Sequence, residues 1–237
     1  MRRMPAMSRL GTCIFLLLIS SASGAAGVER FVISEEVIHD AGAPPGRLDD
    51  FTDTTFLVAW KPGHAALTFG NFAAGAEVGG FVRDARGSAY AGSLRRRQEG
   101  FVEDTSVEVE TDQVVGRTVG SAALRLVWPD RPETDNLLWV PSLGAEVYYR
   151  DCSFVALRAT FDPRPGTGVT LRLANRLGRE REYVEIAVAP RTDGVVNFSI
   201  GVRYGHLVAG FARERDFDFT RLDRRVVSIG FHHDFAP

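Results

Sequence analysis

The chain is short of cysteine, of lysine and of long apolar runs, and each shortage excludes a class of protein. Its two cysteines are Cys13 and Cys152. Cys13 lies in the N-terminal apolar stretch, so a mature chain would keep Cys152 alone, which cannot form an internal disulfide; a disulfide-stapled extracellular module is excluded. Lys61 is the only lysine, and arginine carries nearly all the positive charge. The formal net charge is −2, and the remainder is more acidic once Arg2, Arg3 and Arg9 leave with a leader, which argues against a nucleic-acid partner. No apolar run approaches the ~20 residues of a membrane-spanning helix, and after residue 27 no window sustains a helical period. The sequence also lacks a Gly-x-Ser-x-Gly elbow, a phosphate-binding glycine loop and paired cysteines, so no catalytic residue, cofactor or metal set is assigned.

What is present begins with an export leader. Arg2, Arg3 and Arg9 precede the apolar stretch Thr12–Ile19, and the small residues Ala22, Gly24, Ala25 and Ala26 follow it in the manner of a signal-peptidase site. Residues 1–26 are therefore expected to be a cleaved signal peptide and residues 27–237 one domain. Cys13 lies within the apolar run rather than after it, which argues against lipid attachment. At 45% hydrophobic and 24% charged residues, the remainder has ample apolar surface to bury.

Beyond the leader the dominant signal has period two. Val196, Phe198, Ile200, Val202 and Tyr204 alternate with Asn197, Ser199, Gly201 and Arg203; Val169, Leu171 and Leu173 alternate with Thr170 and Arg172; Val184, Ile186 and Val188 alternate with Glu185 and Ala187. Similar stretches run over 122–128, 143–149, 155–161 and 227–235. Weaker, glycine-rich candidates lie near 28–39, 54–61, 64–72, 76–84 and 88–96. About 12 strands are expected, between about 10 and 14. Short joins near 150–152 and 205 alternate with longer ones at 129–136, 162–167, 190–194 and 215–224, the pattern of an antiparallel up-and-down meander.

Two architectures share that pattern: a soluble periplasmic barrel or sandwich that buries its apolar faces around a ligand, and a transmembrane β-barrel that turns them to lipid. Three features favour the second. Charged residues stand at strand centres on the polar face, at Arg125, Glu146, Arg158, Arg172, Glu185 and Arg203, where they would meet as an Arg/Glu network lining a wet lumen. Aromatic residues recur towards the ends of the apolar faces, at Trp128, Trp139, Tyr149, Phe161, Tyr204, Phe211 and Phe235, as at a lipid headgroup layer. The closing stretch Ser228–Phe235 also fits the signal by which assembly machinery selects the last strand of an outer-membrane barrel. Ser228, Gly230, His233 and Phe235 occupy its polar, glycine, apolar and aromatic positions, with histidine in the apolar one.

With these residues in view, the C-terminal third resembles the YaiO-type outer-membrane β-barrels. Tyr148-Tyr149-Arg150-Asp151, the Arg/Asp-rich stretch from Arg213 to Arg221 and the Ser228–Phe235 finish carry the resemblance, over roughly residues 140–235. The resemblance implies a single outer-membrane barrel in a Gram-negative cell, and the lack of a catalytic set of residues leads to the expectation that it is not an enzyme. Its partners would be membrane lipid and lipopolysaccharide, the barrel assembly machinery and exopolysaccharide-export proteins, and its role structural or that of a narrow pore for exopolysaccharide or solute.

Chemical alternatives are weighed on the same residues. Ser228 and His232 share a strand face, but four residues separate them by about 13 Å at ~3.3 Å per residue, too far for a nucleophile and its base in an outer-membrane lipid hydrolase. His232 and His233 are neighbours on a strand and point to opposite faces, so they cannot chelate one metal ion together. Arg213 to Asp223 reads as a solvated loop, its arginines suited to lipopolysaccharide phosphates, and Arg95-Arg96-Arg97 as an exposed charge run.

Overall fold

The computed structural model describes residues 28–40, 50–84, 88–99, 102–129, 137–163, 168–216 and 222–235. The expected leader over 1–26 lies outside the described residues, as do the loop stretches 130–136, 164–167 and 217–221. The alternating segments form fourteen strands: β1 (Val28–Asp40), β2 (Asp50–Trp60), β3 (Gly63–Gly70), β4 (Ala73–Arg83), β5 (Ala89–Glu99), β6 (Val102–Val115), β7 (Thr118–Pro129), β8 (Leu138–Arg150), β9 (Ser153–Asp162), β10 (Gly168–Arg179), β11 (Glu182–Pro190), β12 (Val196–Tyr204), β13 (Leu207–Asp216) and β14 (Leu222–Asp234). Each pairs antiparallel with its sequence neighbours, and β1 pairs with β14, so the sheet closes into an up-and-down barrel.

The count is fourteen rather than the expected twelve or so, and the two additional strands have specific reasons for being hard to see. In β6 the residues alternating with Asp104, Ser106, Glu108, Glu110 and Asp112 are Thr105, Val107, Val109 and Thr111, none of them large. In β13 both faces are small or apolar as far as Ala212, so no contrast marks the period. The expected solvated loop at Arg213–Asp223 is accordingly corrected: Arg213–Asp216 complete β13, and Leu222 and Asp223 open β14. Arg95-Arg96-Arg97 is no exposed run either, because it lies within β5, with Arg95 and Arg97 on the inner face and Arg96 on the outer.

Two-residue turns at 61–62, 116–117, 151–152, 180–181 and 205–206 gather at one end of the barrel. Gly116, Cys152 and Gly205 adopt φ of 62°, 60° and 59° in these turns, the left-handed conformation that tight hairpins between twisted strands require. The opposite end carries the longer connection 191–195 together with the two-residue join 71–72. Strand lengths run from 8 to 14 residues, around the roughly 9–11 that a tilted strand needs to cross a bilayer.

Burial is inverted relative to a soluble barrel. Large apolar side chains lie exposed on the outside, among them Leu143 at 60%, Ile186 at 51% and Ile229 at 62%, while Asp53, Ser106, Ser142 and Arg203 are buried. The alternative in which apolar faces turn inward therefore does not describe this fold. Of the recurring aromatics, Trp128, Trp139, Phe161, Tyr149, Tyr204 and Phe235 lie at or near strand ends on the outer face. Phe211 instead stands mid-strand on β13, packed on Phe198 with ring centroids 5.6 Å apart. The Tyr149 hydroxyl donates to the carbonyl oxygen of Arg176 at 3.1 Å, so its polar tip is satisfied while its ring faces outward. Among the described residues no helix is long and apolar enough to cross a membrane, so any crossing is made by strands.

Candidate pore lining

The six charged residues singled out in the sequence come one each from consecutive strands, Arg125 from β7, Glu146 from β8, Arg158 from β9, Arg172 from β10, Glu185 from β11 and Arg203 from β12. The cross-strand register places all six on the inner face: Arg125 opposite Glu108 on β6, Arg158 between Gly144 and Arg172, and Arg203 opposite Tyr183. A hydrogen bond that skips strands fixes the direction. Arg158 Nη2 donates to Glu110 Oε1 on β6 at 2.9 Å, past β7 and β8, a contact that only the barrel interior allows.

Their hydrogen bonds reach partly within the set and partly to other inward residues. Within the six, Arg172 Nη2 donates to Glu185 Oε1 at 3.2 Å, and the remaining bonds turn elsewhere. Arg158 also donates to Ser142 Oγ at 3.1 Å, Glu146 accepts from the Tyr148 hydroxyl at 2.9 Å, and Arg203 donates to Asp234 Oδ2 at 2.8 Å and to the Gly205 carbonyl at 3.0 Å. Arg158 and Arg172 are direct register partners, and the like charges are separated because one guanidinium reaches across to β6 while the other takes Glu185. Arg125 keeps a buried Nε with no hydrogen-bond partner.

Several inward residues escaped the sequence reading. Asp104, Glu108, Glu110 and Asp112 make an acidic inner face on β6, and Arg176 stacks on Tyr183 with its guanidinium carbon 3.4 Å from the ring centroid. His64 Nε2 and Glu77 Oε1 lie 3.1 Å apart on β3 and β4. The alternating acids of β6 were the available signal, had Thr105, Val107, Val109 and Thr111 been accepted as an outer face. Between these side chains lie interior voids, one of about 440 Å³ bordered by Arg97, Tyr183, Glu185 and Arg224, another of about 380 Å³ bordered by His64, Glu77, Arg95 and Arg125. Among the described residues no group of three or more metal-ligating side chains comes together.

The closing strand divides by parity. Ser228 and Gly230 lie on the inner face opposite Glu36 and Ser34 of β1, while His233 and Phe235 lie on the outer face. His233 occupies its apolar-row position as an aromatic ring, 4.6 Å from Phe235 edge-on and 5.2 Å from His206 in a stack. His232 points inward beside Asp234, so the two histidines face opposite ways and share no ligand.

A closed, antiparallel, all-β barrel with apolar side chains outside and charged ones within defines a porin-like fold. Solved structures agree. Two variants of the Rhodopseudomonas blastica porin superpose with a TM-score of 0.51 at 11% identity, covering 88% of this chain and 100% of that one. The KdgM porin superposes at 0.48 with 12% identity, over 86% of this chain and 99% of that one. At such identities the likeness concerns the fold alone. No family model matches the sequence, and no curated protein matches it either.

Proposed function

We propose that this chain is a non-enzymatic outer-membrane pore, exported by its leader and open to small solutes between its interior charges. The observation that carries the proposal is the inverted burial: exposed Leu, Ile and Val on the outside of a closed barrel, with Arg, Glu and Asp inside. Closure matters because an open sheet edge in hydrocarbon would leave backbone groups without partners. On this reading Arg125, Glu146, Arg158, Arg172, Glu185 and Arg203 line the solute path, and Ser228, Gly230, His233 and Phe235 present the last strand to the assembly machinery. The surrounding partners are lipid and lipopolysaccharide. Kinship with YaiO-type barrels and work beside exopolysaccharide-export proteins belong to the same proposal, supported by the Arg213–Arg221 stretch and the Ser228–Phe235 finish.

The test has two arms. A membrane-impermeant thiol reagent applied to Cys152→Ser protein in liposomes should label Arg172→Cys through the lumen and leave Leu171→Cys protected by lipid; the reverse pattern would defeat the membrane reading. Planar-bilayer recording on refolded protein should give discrete conductance steps, and silent membranes containing folded barrel would reduce the role to a structural one.

A further inference from the structure

At the short-turn mouth one carboxylate is shared by an excess of cations. Asp234, at the end of β14, accepts from Arg30 Nε of β1 at 2.7 Å and from Arg203 Nη2 of β12 at 2.8 Å, and Arg181 Nε, in the β10–β11 turn, lies 3.7 Å away. His232 Nε2 is 3.2 Å from the same carboxylate, buried, and makes no hydrogen bond. Three guanidinium charges therefore surround one negative charge. Their exposure differs in a way that matters: the Arg203 side chain is 4% exposed, whereas Arg30 and Arg181 are 45% and 52% exposed.

A guanidinium offers five N–H donors in a planar fork; Arg30 donates one to Asp234, and Arg203 donates one to Asp234 and one to the Gly205 carbonyl. The unspent donors of Arg30 and Arg181 flank Asp234 at a wet opening. Asp234 holds them there as a fixed counter-ion, which limits the rotamer freedom a long side chain must surrender when it binds a ligand. A planar or tetrahedral oxyanion matches such a fork and can take paired N–H···O bonds.

We infer that Arg30 and Arg181, backed by the buried charge of Arg203, form an oxyanion-binding site at the short-turn mouth, which takes the phosphate or carboxylate group of a solute beside Asp234. As a statement about which solutes pass, this rests on the pore reading; as a binding site it does not.

Calorimetric titration of inorganic pyrophosphate into the full barrel, held in a nonionic detergent free of phosphate, should give saturable binding. Arg181→Gln should weaken it about tenfold, through loss of a charge-assisted hydrogen bond to the anion. Asp234→Asn should strengthen it by removing the competing carboxylate. Because Asp234 also ties β14 to β1, the exposed turn residue Arg181 carries the decisive comparison, and Lys61→Gln in another short turn should leave binding unchanged. No saturable heat with the wild-type barrel, or an unchanged constant for Arg181→Gln, would overturn the site. Heat from vesicles of anionic phospholipid but not from pyrophosphate would assign the group to a lipid headgroup and overturn the solute reading. In bilayers under a KCl gradient, the reversal potential should shift towards cation preference in Arg181→Gln. Binding without conductance would remove the pore and keep the site, whereas conductance without binding would do the opposite.

Discussion

Arg158 shows how one side chain can set the width of an interior. Its guanidinium leaves β9, crosses two strands and meets Glu110, with Ser142 as a second acceptor. Because the Arg158 and Glu110 side chains are 36% and 29% exposed, the pair is partly screened by water and contributes modestly to stability. Its larger effect is geometric, since it runs as a chord through space a solute would use. Arg158→Ala is expected to cost about 1 kcal/mol in denaturant unfolding from lipid, the low end for leaving a partly buried acceptor unpaired, and to raise single-channel conductance. The double variant with Glu110→Ala should recover part of the stability and keep the larger conductance. Unchanged conductance in both would place the chord outside the solute path.

Strands and turns divide into those the sequence declares and those it conceals. In the two-residue turn after β8, Cys152 has φ 60° where Gly116 and Gly205 serve other short turns. A side chain there costs roughly 1–2 kcal/mol, so Cys152→Gly should raise the unfolding midpoint by a corresponding amount, read by tryptophan fluorescence. Glycine can also be needed for closeness: a Cβ on Gly230 would stand 2.9 Å from the Ile33 carbonyl oxygen at the β1–β14 seam, while one on Gly201 meets nothing within 4 Å. Gly230→Val should therefore lose the compact band of a closed barrel on unheated gels, and Gly201→Ala should keep it. The strands from β7 to β12 are legible because large apolar residues alternate with polar ones, whereas β6 and β13 lack that contrast and give no clear strand signal. The parity of the six inner charges could likewise be read along each strand. Their partners could not: Arg158 and Glu110 are 48 positions apart and meet only once register and closure are fixed. Arg95 and Arg97 misled for a related reason, because three consecutive arginines look solvated until pleating turns alternate ones into the barrel.

For the molecule as a whole, the physical question is which medium meets the outer surface. A barrel in water would expose Leu143, Leu157, Leu173, Ile186 and Ile229 together, an outer apolar belt of the kind that a soluble monomer does not present. In hydrocarbon the same belt has no cost, and the closed hydrogen-bonded wall leaves no strand edge exposed to lipid. The medium should then show itself as an asymmetry between substitutions at one height on opposite faces. Ile186 lies mid-strand on β11, pointing outward, with Glu185 beside it pointing in. Ile186→Arg is expected to destabilise the barrel by about 2–4 kcal/mol in phospholipid vesicles, the cost of an arginine near the bilayer midplane, while Glu185→Gln, which keeps its shape in a wet interior, costs less. In a detergent micelle, whose surface adapts around a charge, the Ile186→Arg penalty should shrink. Equilibrium unfolding in urea from vesicles and from micelles measures both, and equal penalties in the two media would mean that β11 does not face the bilayer core.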